Sequence, residues 1–293
     1  MRYEGTVYRP PSEGRSLILQ ASIGCSYNRC SYCAMYLEKR FRPRSLDDLR
    51  VDMDMAAREL GARNVRKVFL ADGDALILRT SRLLEILEEL RARFPNFQRA
   101  SVYASPQSML AKSPGEIAEL VSAGLPLYYL GAETGHPEVL ANITKGVTRE
   151  EMLRGAKVVT DGGGKLSVIL LLGIGGVTLS HEHAVQSGTL ITEMQPRFVS
   201  TLTITPVPGT PLHAQVERGE LVLPDELGML REQRTMLANM KCKRAIYRGN
   251  HVSNSLPVGG NLPQDRDKLI ALLDTVLADP APRLRARPSP HSL

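Results

Sequence analysis

The chain has 293 residues, 43% of them apolar and 23% charged, which is typical of a globular enzyme with one or two domains. Its formal net charge of +6 permits anionic partners and supports nucleic-acid binding only weakly. No apolar stretch is long enough to span a membrane, and the first residues do not resemble a secretory signal. We therefore expect a cytoplasmic protein without membrane association.

Six short apolar runs recur along the chain, and each is followed by a turn and a helical pattern. They span Leu17–Ile23, Lys67–Ala71, Ala100–Ala104, Leu127–Gly131, Lys165–Leu172 and Phe198–Thr205. Such runs are typical of strands buried on both faces, and their alternation with helices predicts a parallel sheet with right-handed crossovers. The predicted fold class is therefore α/β, as an open sheet or as a barrel two units short of the complete eight.

Helix start signals lie between the runs. Three pairs have the spacing of a capping box: Ser45 with Asp48, Ser113 with Glu116, and Thr148 with Glu151. A leucine-rich stripe predicts a helix over Ser81–Phe94. Beyond the sixth run, helical patterns near Asp225–Asn239 and Asp265–Leu277 flank an irregular segment, Gly249–Pro263.

These patterns divide the chain into three parts. Residues 1–215 form the predicted partial-barrel core, and residues 216–278 form a C-terminal helical extension that we expect to act as a substrate lid. Residues 279–293, with three arginines and four prolines, are predicted to be a disordered basic tail.

Three of the four cysteines, Cys25, Cys30 and Cys33, lie within nine residues of the loop 24–36, directly after the first run. Clustered thiols without an export signal indicate a reducing compartment rather than a disulfide framework. Thiolates held this close together are suited to zinc or to an iron–sulfur cluster.

Glycines and polar residues follow the other runs as well. Asp72, Gly73 and Asp74 follow the second run, Ser105 the third, Gly131–Gly135 the fourth, Gly173–Gly176 the fifth and Pro206–Pro211 the sixth. Ligands bind beyond the carboxyl ends of parallel strands, so we expect these residues to form a single site.

Together, the cysteine loop and these motifs resemble the radical S-adenosylmethionine (radical SAM) enzymes over roughly residues 16–212. The closest likeness is to the branch with oxygen-independent coproporphyrinogen oxidase and the elongator-type domains. This resemblance implies a partial (β/α)6 barrel. The spacing Cys-x4-Cys-x2-Cys differs from the family's usual pattern by one additional residue between the first two cysteines.

The resemblance also implies cofactors and their contacts. Cys25, Cys30 and Cys33 would ligate a [4Fe–4S] cluster whose fourth iron binds S-adenosylmethionine. Carried over position by position, the expected contacts with S-adenosylmethionine are Tyr32 (beside the adenine), Asp72, Gly73, Asp74, Ser105, Glu133, Ser167 and Gly173. A low-potential electron donor such as flavodoxin or ferredoxin is the implied partner.

Two other kinds of metal site fit the cysteines. The Cys-x4-Cys-x2-Cys spacing also occurs in plant-type [2Fe–2S] ferredoxins, where Cys242 would be the fourth ligand. A zinc site would need one histidine from among His181, His183, His213 and His251. Neither alternative accounts for the motifs at the other strand ends.

The substrate is predicted from the C-terminal extension. Lys241, Lys243, Arg244 and Arg248 precede His251, and they form either a clamp for an anionic, small-molecule or nucleotide-like substrate or an ordinary basic helix end. Arg244, Arg248, His251 and Cys242 are the candidate catalytic residues, although Cys242 also fits a structural thiol. Rival functions are an RNA-modifying radical SAM enzyme and a non-catalytic iron–sulfur carrier or sensor.

Overall fold

The computed structural model describes residues 1–287, so the last six residues of the predicted basic tail lie outside the described residues. The strands are β1 (Leu17–Gln20), β2 (Ser22–Ile23), β3 (Arg42–Pro43), β4 (Lys67–Ala71), β5 (Arg99–Ala104), β6 (Leu127–Glu133), β7 (Lys165–Leu172), β8 (Phe198–Thr203), β9 (Ala245–Gly249) and β10 (Val258–Leu262). The α-helices are α1 (Leu46–Ala56), α2 (Thr80–Arg93), α3 (Pro106–Leu110), α4 (Pro114–Ser122), α5 (Pro137–Asn142), α6 (Arg149–Asp161), α7 (Ser180–Met194), α8 (Pro211–Glu217), α9 (Glu226–Asn239) and α10 (Arg266–Ala278).

Eight strands form one sheet in the order β1-β4-β5-β6-β7-β8-β9-β10. The pairs β1–β4, β4–β5, β5–β6, β7–β8 and β8–β9 are parallel, and the last pair, β9–β10, is antiparallel. A separate antiparallel ladder joins β2 to β3. This mostly parallel sheet with helical crossovers confirms the predicted α/β class.

The predicted elements of the core agree closely with the structure. Strands β4 and β7 have the predicted bounds, and β5, β6 and β8 differ from them by one or two residues. The first run is divided at Ala21 into β1 and β2. The side chains of Ser45, Ser113 and Thr148 accept hydrogen bonds from the amides of Asp48, Glu116 and Glu151, so all three predicted helix starts have a capping side chain.

The C-terminal extension differs from its prediction. Helices α9 and α10 are present, but the segment predicted as irregular contains β10, and the basic stretch before it contains β9. Strand β9 pairs in parallel with β8, and its residues Ala245, Tyr247 and Gly249 are buried. The extension therefore adds two strands to the sheet, and the basic stretch runs from the end of α9 into β9.

The chain separates into two compact units. Unit 1 comprises Met1–Asn28, Met35–Leu130 and Arg154–Leu166, whereas unit 2 comprises Arg29–Ala34, Gly131–Leu153 and the chain from Ser167 onward. In unit 1, Val68 to Ala71 of β4 are completely buried, as expected for a strand covered on both faces. In unit 2, α9 packs on α7 and on α10.

Gly188 permits the close approach of α7 and α9 in unit 2. A Cβ atom at this position would lie 2.6 Å from both the Cβ of Asn239 and the carbonyl oxygen of Met236. Any larger residue would therefore force the two helices apart. Helix α9 carries Glu232, whose carboxyl group accepts a hydrogen bond from the amide of Gly173.

Candidate functional site

The cysteine loop is shared between the two units. Cys25 belongs to unit 1, and Cys30 and Cys33 belong to unit 2. All three are partly exposed, and among the described residues none of them forms a disulfide bond. Within unit 2, the amide of Cys33 donates to the carbonyl oxygen of Cys30 (3.2 Å), so a tight turn separates these two residues.

Ser31 anchors this turn in unit 2. Its amide donates to the carbonyl oxygen of Ile143 (2.9 Å), and its own carbonyl oxygen accepts from the amide of Leu212 (3.0 Å). The segment with Cys30 and Cys33 is thus held by residues that follow α5 and begin α8. Within residues 1–287, no three His, Cys, Asp or Glu side chains already form a group arranged to hold a metal ion.

In unit 1, a buried carboxylate lies directly against the start of the cysteine loop. Asp72 follows β4, and its Oδ2 accepts hydrogen bonds from the amide of Gly24 (3.1 Å), from Gln20 Nε2 (3.0 Å) and from Lys39 Nζ (2.8 Å). Its other oxygen, Oδ1, is buried without a hydrogen-bond partner. A buried acceptor of this kind is costly, and a bound ammonium group would satisfy it.

The next residue, Gly73, allows the cysteine loop to approach. A Cβ atom on Gly73 would lie 2.8 Å from the Cβ of Cys25 and 2.6 Å from Cε2 of Tyr36. The amide of Gly73 also donates to the carbonyl oxygen of Gly24 (3.1 Å). Glycine is therefore required here because backbone and cysteine loop are in van der Waals contact.

Asp74 ties the cysteine loop to the end of β5. Its Oδ2 accepts from the hydroxyl groups of Ser26 (2.5 Å) and Ser105 (2.7 Å), and its Oδ1 accepts from the amide of Ser105 (3.0 Å). Asp74 is completely buried. Asp72, Gly73, Asp74 and Ser105 thus lie together with Cys25, as the sequence predicted for the strand ends of this unit.

In unit 2, Glu133 ends β6 and lies at the centre of a second group. Its Oε1 accepts a hydrogen bond from the hydroxyl of Tyr32 (2.7 Å) and from Lys145 Nζ (3.0 Å), and Lys145 also lies 5.9 Å from the centre of the Tyr32 ring. All three side chains are at least partly buried. A carboxylate, an ammonium and a phenol therefore share one small volume beside Cys30 and Cys33.

The negative charges of Cys30 and Cys33 shift the pKa values of Tyr32 and Lys145. Burial raises the pKa of Tyr32 well above its usual value, and the negative charges of Glu133, Cys30 and Cys33 raise it further. Burial lowers the pKa of Lys145, but the same anionic groups outweigh it, so the net pKa is raised. Lys145 is therefore a cation that offsets thiolate charge.

Glu133 has an unusual backbone conformation, with φ of +67°. The residues that follow it are fixed from α7: Thr134 Oγ1 lies 2.7 Å from His183 Nδ1, and the amide of Gly135 donates to Ser187 Oγ (2.9 Å). Burial lowers the pKa of His183 to about 4, so it is a neutral structural group. Helix α7 thereby holds the end of β6 in the conformation that directs Glu133 at Tyr32.

Ser167 and Gly173, two predicted contacts with S-adenosylmethionine, lie at opposite ends of β7. Gly173 follows the strand with φ of +82°, and its amide donates to Glu232 Oε2 of α9 (2.6 Å). Ser167 is buried near the opposite end of β7, about 17 Å along the strand from Leu172. The structure therefore does not bring Ser167 to the carboxyl end of the strand.

The candidate catalytic residues of the extension are also dispersed. Arg244 precedes β9, whereas His251 follows it, at the other end of a strand that runs parallel to β8. The guanidinium of Arg248 lies 4.6 Å from the centre of the ring of Phe198, at the start of β8. Cys242 is buried, and burial raises its pKa to about 11, so its thiol stays protonated at neutral pH.

Comparison with known proteins identifies the fold. The model of the radical SAM superfamily matches residues 19–187. The chain belongs to the radical SAM superfamily. The heme chaperone HemW of Mycobacterium tuberculosis is 26% identical to this radical SAM chain over 265 residues, covering 85% of this chain and 65% of HemW. The chain thus spans somewhat less than two thirds of the length of this curated relative.

Solved radical SAM structures share the fold. The cobalamin-dependent enzyme OxsB, with aqua-cobalamin and S-adenosylmethionine bound, has a TM-score of 0.57 at 17% identity, covering 78% of this chain and 41% of OxsB. Coproporphyrinogen III oxidase (HemN) of Escherichia coli has a TM-score of 0.56 at 16% identity, covering 76% and 52%. These structures show the shared fold, and the match to the family model confirms the predicted family. In residues 1–287, no helix has the length and apolar character needed to cross a membrane.

The sequence did not reveal several residues of the site. Lys145 and Lys39 are single lysines in loops, and only the fold brings them to Glu133 and Asp72. Glu232 lies in the middle of an amphipathic helix, and no spacing relates it to Gly173.

Proposed function

We propose that this chain binds a [4Fe–4S] cluster through Cys25, Cys30 and Cys33 and cleaves S-adenosylmethionine reductively. The observation that supports this most strongly is the buried Asp72 carboxylate, which receives the amide of Gly24 beside Cys25 and keeps one oxygen unpaired. An amino group supplies up to three donors, which suits that oxygen. The three thiols suit a cluster with one open iron, because a fourth protein ligand would close it.

Cys25, Cys30 and Cys33 would hold the cluster, which, once reduced by an external donor, would supply the electron for reductive cleavage of the sulfur–C5′ bond and so for hydrogen-atom abstraction from a substrate. The protein's residues position and shield these groups. Asp72 would receive the amino group of S-adenosylmethionine, and the ring of Tyr32 would lie beside the adenine. Lys145 would offset the negative charge of Cys30 and Cys33 and, through its ion pair, hold the Glu133 carboxylate in place.

The proposal is tested by anaerobic reconstitution of the chain with iron and sulfide, followed by dithionite and S-adenosylmethionine. We expect 5′-deoxyadenosine to form and the electron paramagnetic resonance signal to shift when S-adenosylmethionine is added. Cys30→Ala is expected to lose the cluster and cleavage together.

Cys242→Ala is the matched control, because Cys242 is buried and its thiol stays protonated. It should keep its iron content and its cleavage rate. Full cleavage by Cys30→Ala, or loss of the cluster in both variants, would contradict the ligand assignment.

The second candidate function is haem binding, which the likeness to HemW over 85% of the chain favours. It predicts that haem binds stoichiometrically, with a shifted Soret band, whether or not the cluster is present. Haem binding without any 5′-deoxyadenosine would favour this second function over the first.

A further inference from the structure

The loop between β9 and β10, residues 250–257, is fastened to the carboxyl end of β8. The amide of Thr203, the last residue of β8, donates to Ser253 Oγ (3.1 Å), and its hydroxyl donates to Asn254 Oδ1 (3.0 Å). The side-chain amide of Asn254 donates to the carbonyl oxygens of Thr201 (2.8 Å) and Gly249 (2.9 Å). Ser253 and Asn254 are both buried, so the β9–β10 loop has a fixed conformation.

This loop presents His251 in one tautomer. The amide of Ser253 donates to His251 Nδ1 (3.2 Å), so Nδ1 is an acceptor and the proton lies on Nε2. Burial lowers the pKa of His251, and the positive charge of Arg285 lowers it further. His251 is half-buried, and Nε2 has no hydrogen-bond partner among the described residues. A neutral ring thus offers one N–H group.

Arg285 supplies positive charge at the same place. Its Nε donates to the carbonyl oxygen of Asn254 (2.7 Å), its Nη2 donates to that of His251, and its amide donates to that of Ser255 (2.9 Å). Among residues 1–287, Arg285 pairs with no carboxylate, and its side chain is exposed. The remaining guanidinium N–H groups are suited to a planar oxyanion.

We propose that His251 and Arg285 form a binding subsite for an oxyanion, a phosphate or carboxylate group of the substrate, beyond the carboxyl ends of β8 and β9. Ligands of parallel sheets bind at this end of the strands. The subsite takes its arginine from outside the predicted clamp, because Arg244 precedes β9 and Arg248 packs on Phe198. Its assignment to the substrate rests on the proposed function.

Binding of inorganic phosphate to the full chain, measured by calorimetry, tests the subsite, with acetate as the carboxylate probe. We expect Arg285→Gln and His251→Asn to weaken binding about tenfold or more, since hydrogen bonds to charged groups are lost. His251→Gln retains an N–H near the position of Nε2 and should bind within about threefold of the parent chain. Tighter binding of phosphate than of acetate identifies a phosphate, and the reverse identifies a carboxylate.

Arg287→Gln is the matched control, because Arg287 lies in the same segment but pairs with Glu226 (2.6 Å). It should bind phosphate unchanged. Equal phosphate binding by Arg285→Gln and Arg287→Gln would overturn the proposal. So would the absence of binding of both phosphate and acetate at millimolar concentration. A ¹⁵N NMR signal of His251 that is typical of the Nδ1–H tautomer would also overturn it. Cleavage of S-adenosylmethionine by the same preparation, assayed separately, shows whether the proposed function fails independently.

Discussion

The buried carboxyl group of Glu232 gives the most quantitative prediction. Burial raises its pKa from 4.5 to about 7, although hydrogen bonds from Gly173 and Ser180 oppose the change. The folded chain therefore retains a proton that the unfolded chain releases from pH 4.5 upward. This contribution to stability is complete below pH 4.5 and is lost as the pH rises through 7, by roughly 3 kcal/mol in total.

Replacing Glu232 with Gln removes the titration but keeps an oxygen that accepts from the amide of Gly173. As the pH rises from 5 to 8, we expect the unfolding free energy of the variant to increase by roughly 2–3 kcal/mol relative to that of the parent chain. Urea denaturation of the reduced, full-length chain at several pH values measures this difference.

Glu13 is the control with the opposite sign. Burial raises its pKa, but hydrogen bonds from Ser16 and Tyr129 and the charge of Arg99 outweigh this effect, so the net pKa is lowered. Its ionised form stabilises the fold above the unfolded pKa, and this stability is lost at acid pH. Glu13→Gln should therefore be less stable than the parent chain at pH 8. Parallel pH profiles for Glu232→Gln and the parent chain would contradict a raised pKa of Glu232 in the folded chain.

Two further predictions concern the site. Gly73→Ala places a methyl group 2.8 Å from the Cβ of Cys25, so it should lower the iron bound after reconstitution. Gly115→Ala is the control, because the nearest atom to its Cβ beyond the local helix backbone, among the described residues, is Ser113 Oγ at 3.8 Å. Equal iron content in the two variants would contradict the steric clash at Gly73. Lys145→Met removes the cation of a buried ion pair with Glu133, so it should lower the unfolding free energy by about 3 kcal/mol. It should also weaken the binding of S-adenosylmethionine, measured by equilibrium dialysis. An unchanged affinity would place Lys145 outside the cofactor site.

The sequence was informative wherever local patterns determine structure. Apolar runs with long β/α spacing predicted β4 through β8, and residues such as Ser113 predicted helix starts through their own hydrogen bonds. The strand-end motif from Asp72 to Asp74 was predicted because parallel strands place their carboxyl ends at the binding face. These features depend on neighbouring residues and on the general geometry of α/β sheets.

The features that the sequence did not reveal depend on distant contacts. Strand β10 has the sequence Val258-Gly-Gly-Asn-Leu262, which has low β propensity and is ordered by pairing with β9. Strand β9 contains an arginine and follows a basic stretch, so its burial against β8 was not evident. Lys145 reaches Glu133, and Arg285 reaches the β9–β10 loop, only through long-range folding of the chain, which no local spacing in the sequence indicates.

The central claim is that the three clustered thiols and the surrounding acids activate S-adenosylmethionine. Its most direct test is the formation of 5′-deoxyadenosine by the anaerobically reconstituted, dithionite-reduced chain. We expect the product to appear and S-adenosylmethionine to shift the resonance of the cluster. A stable cluster that neither responds to S-adenosylmethionine nor cleaves it would contradict this activity and favour an iron–sulfur carrier or sensor.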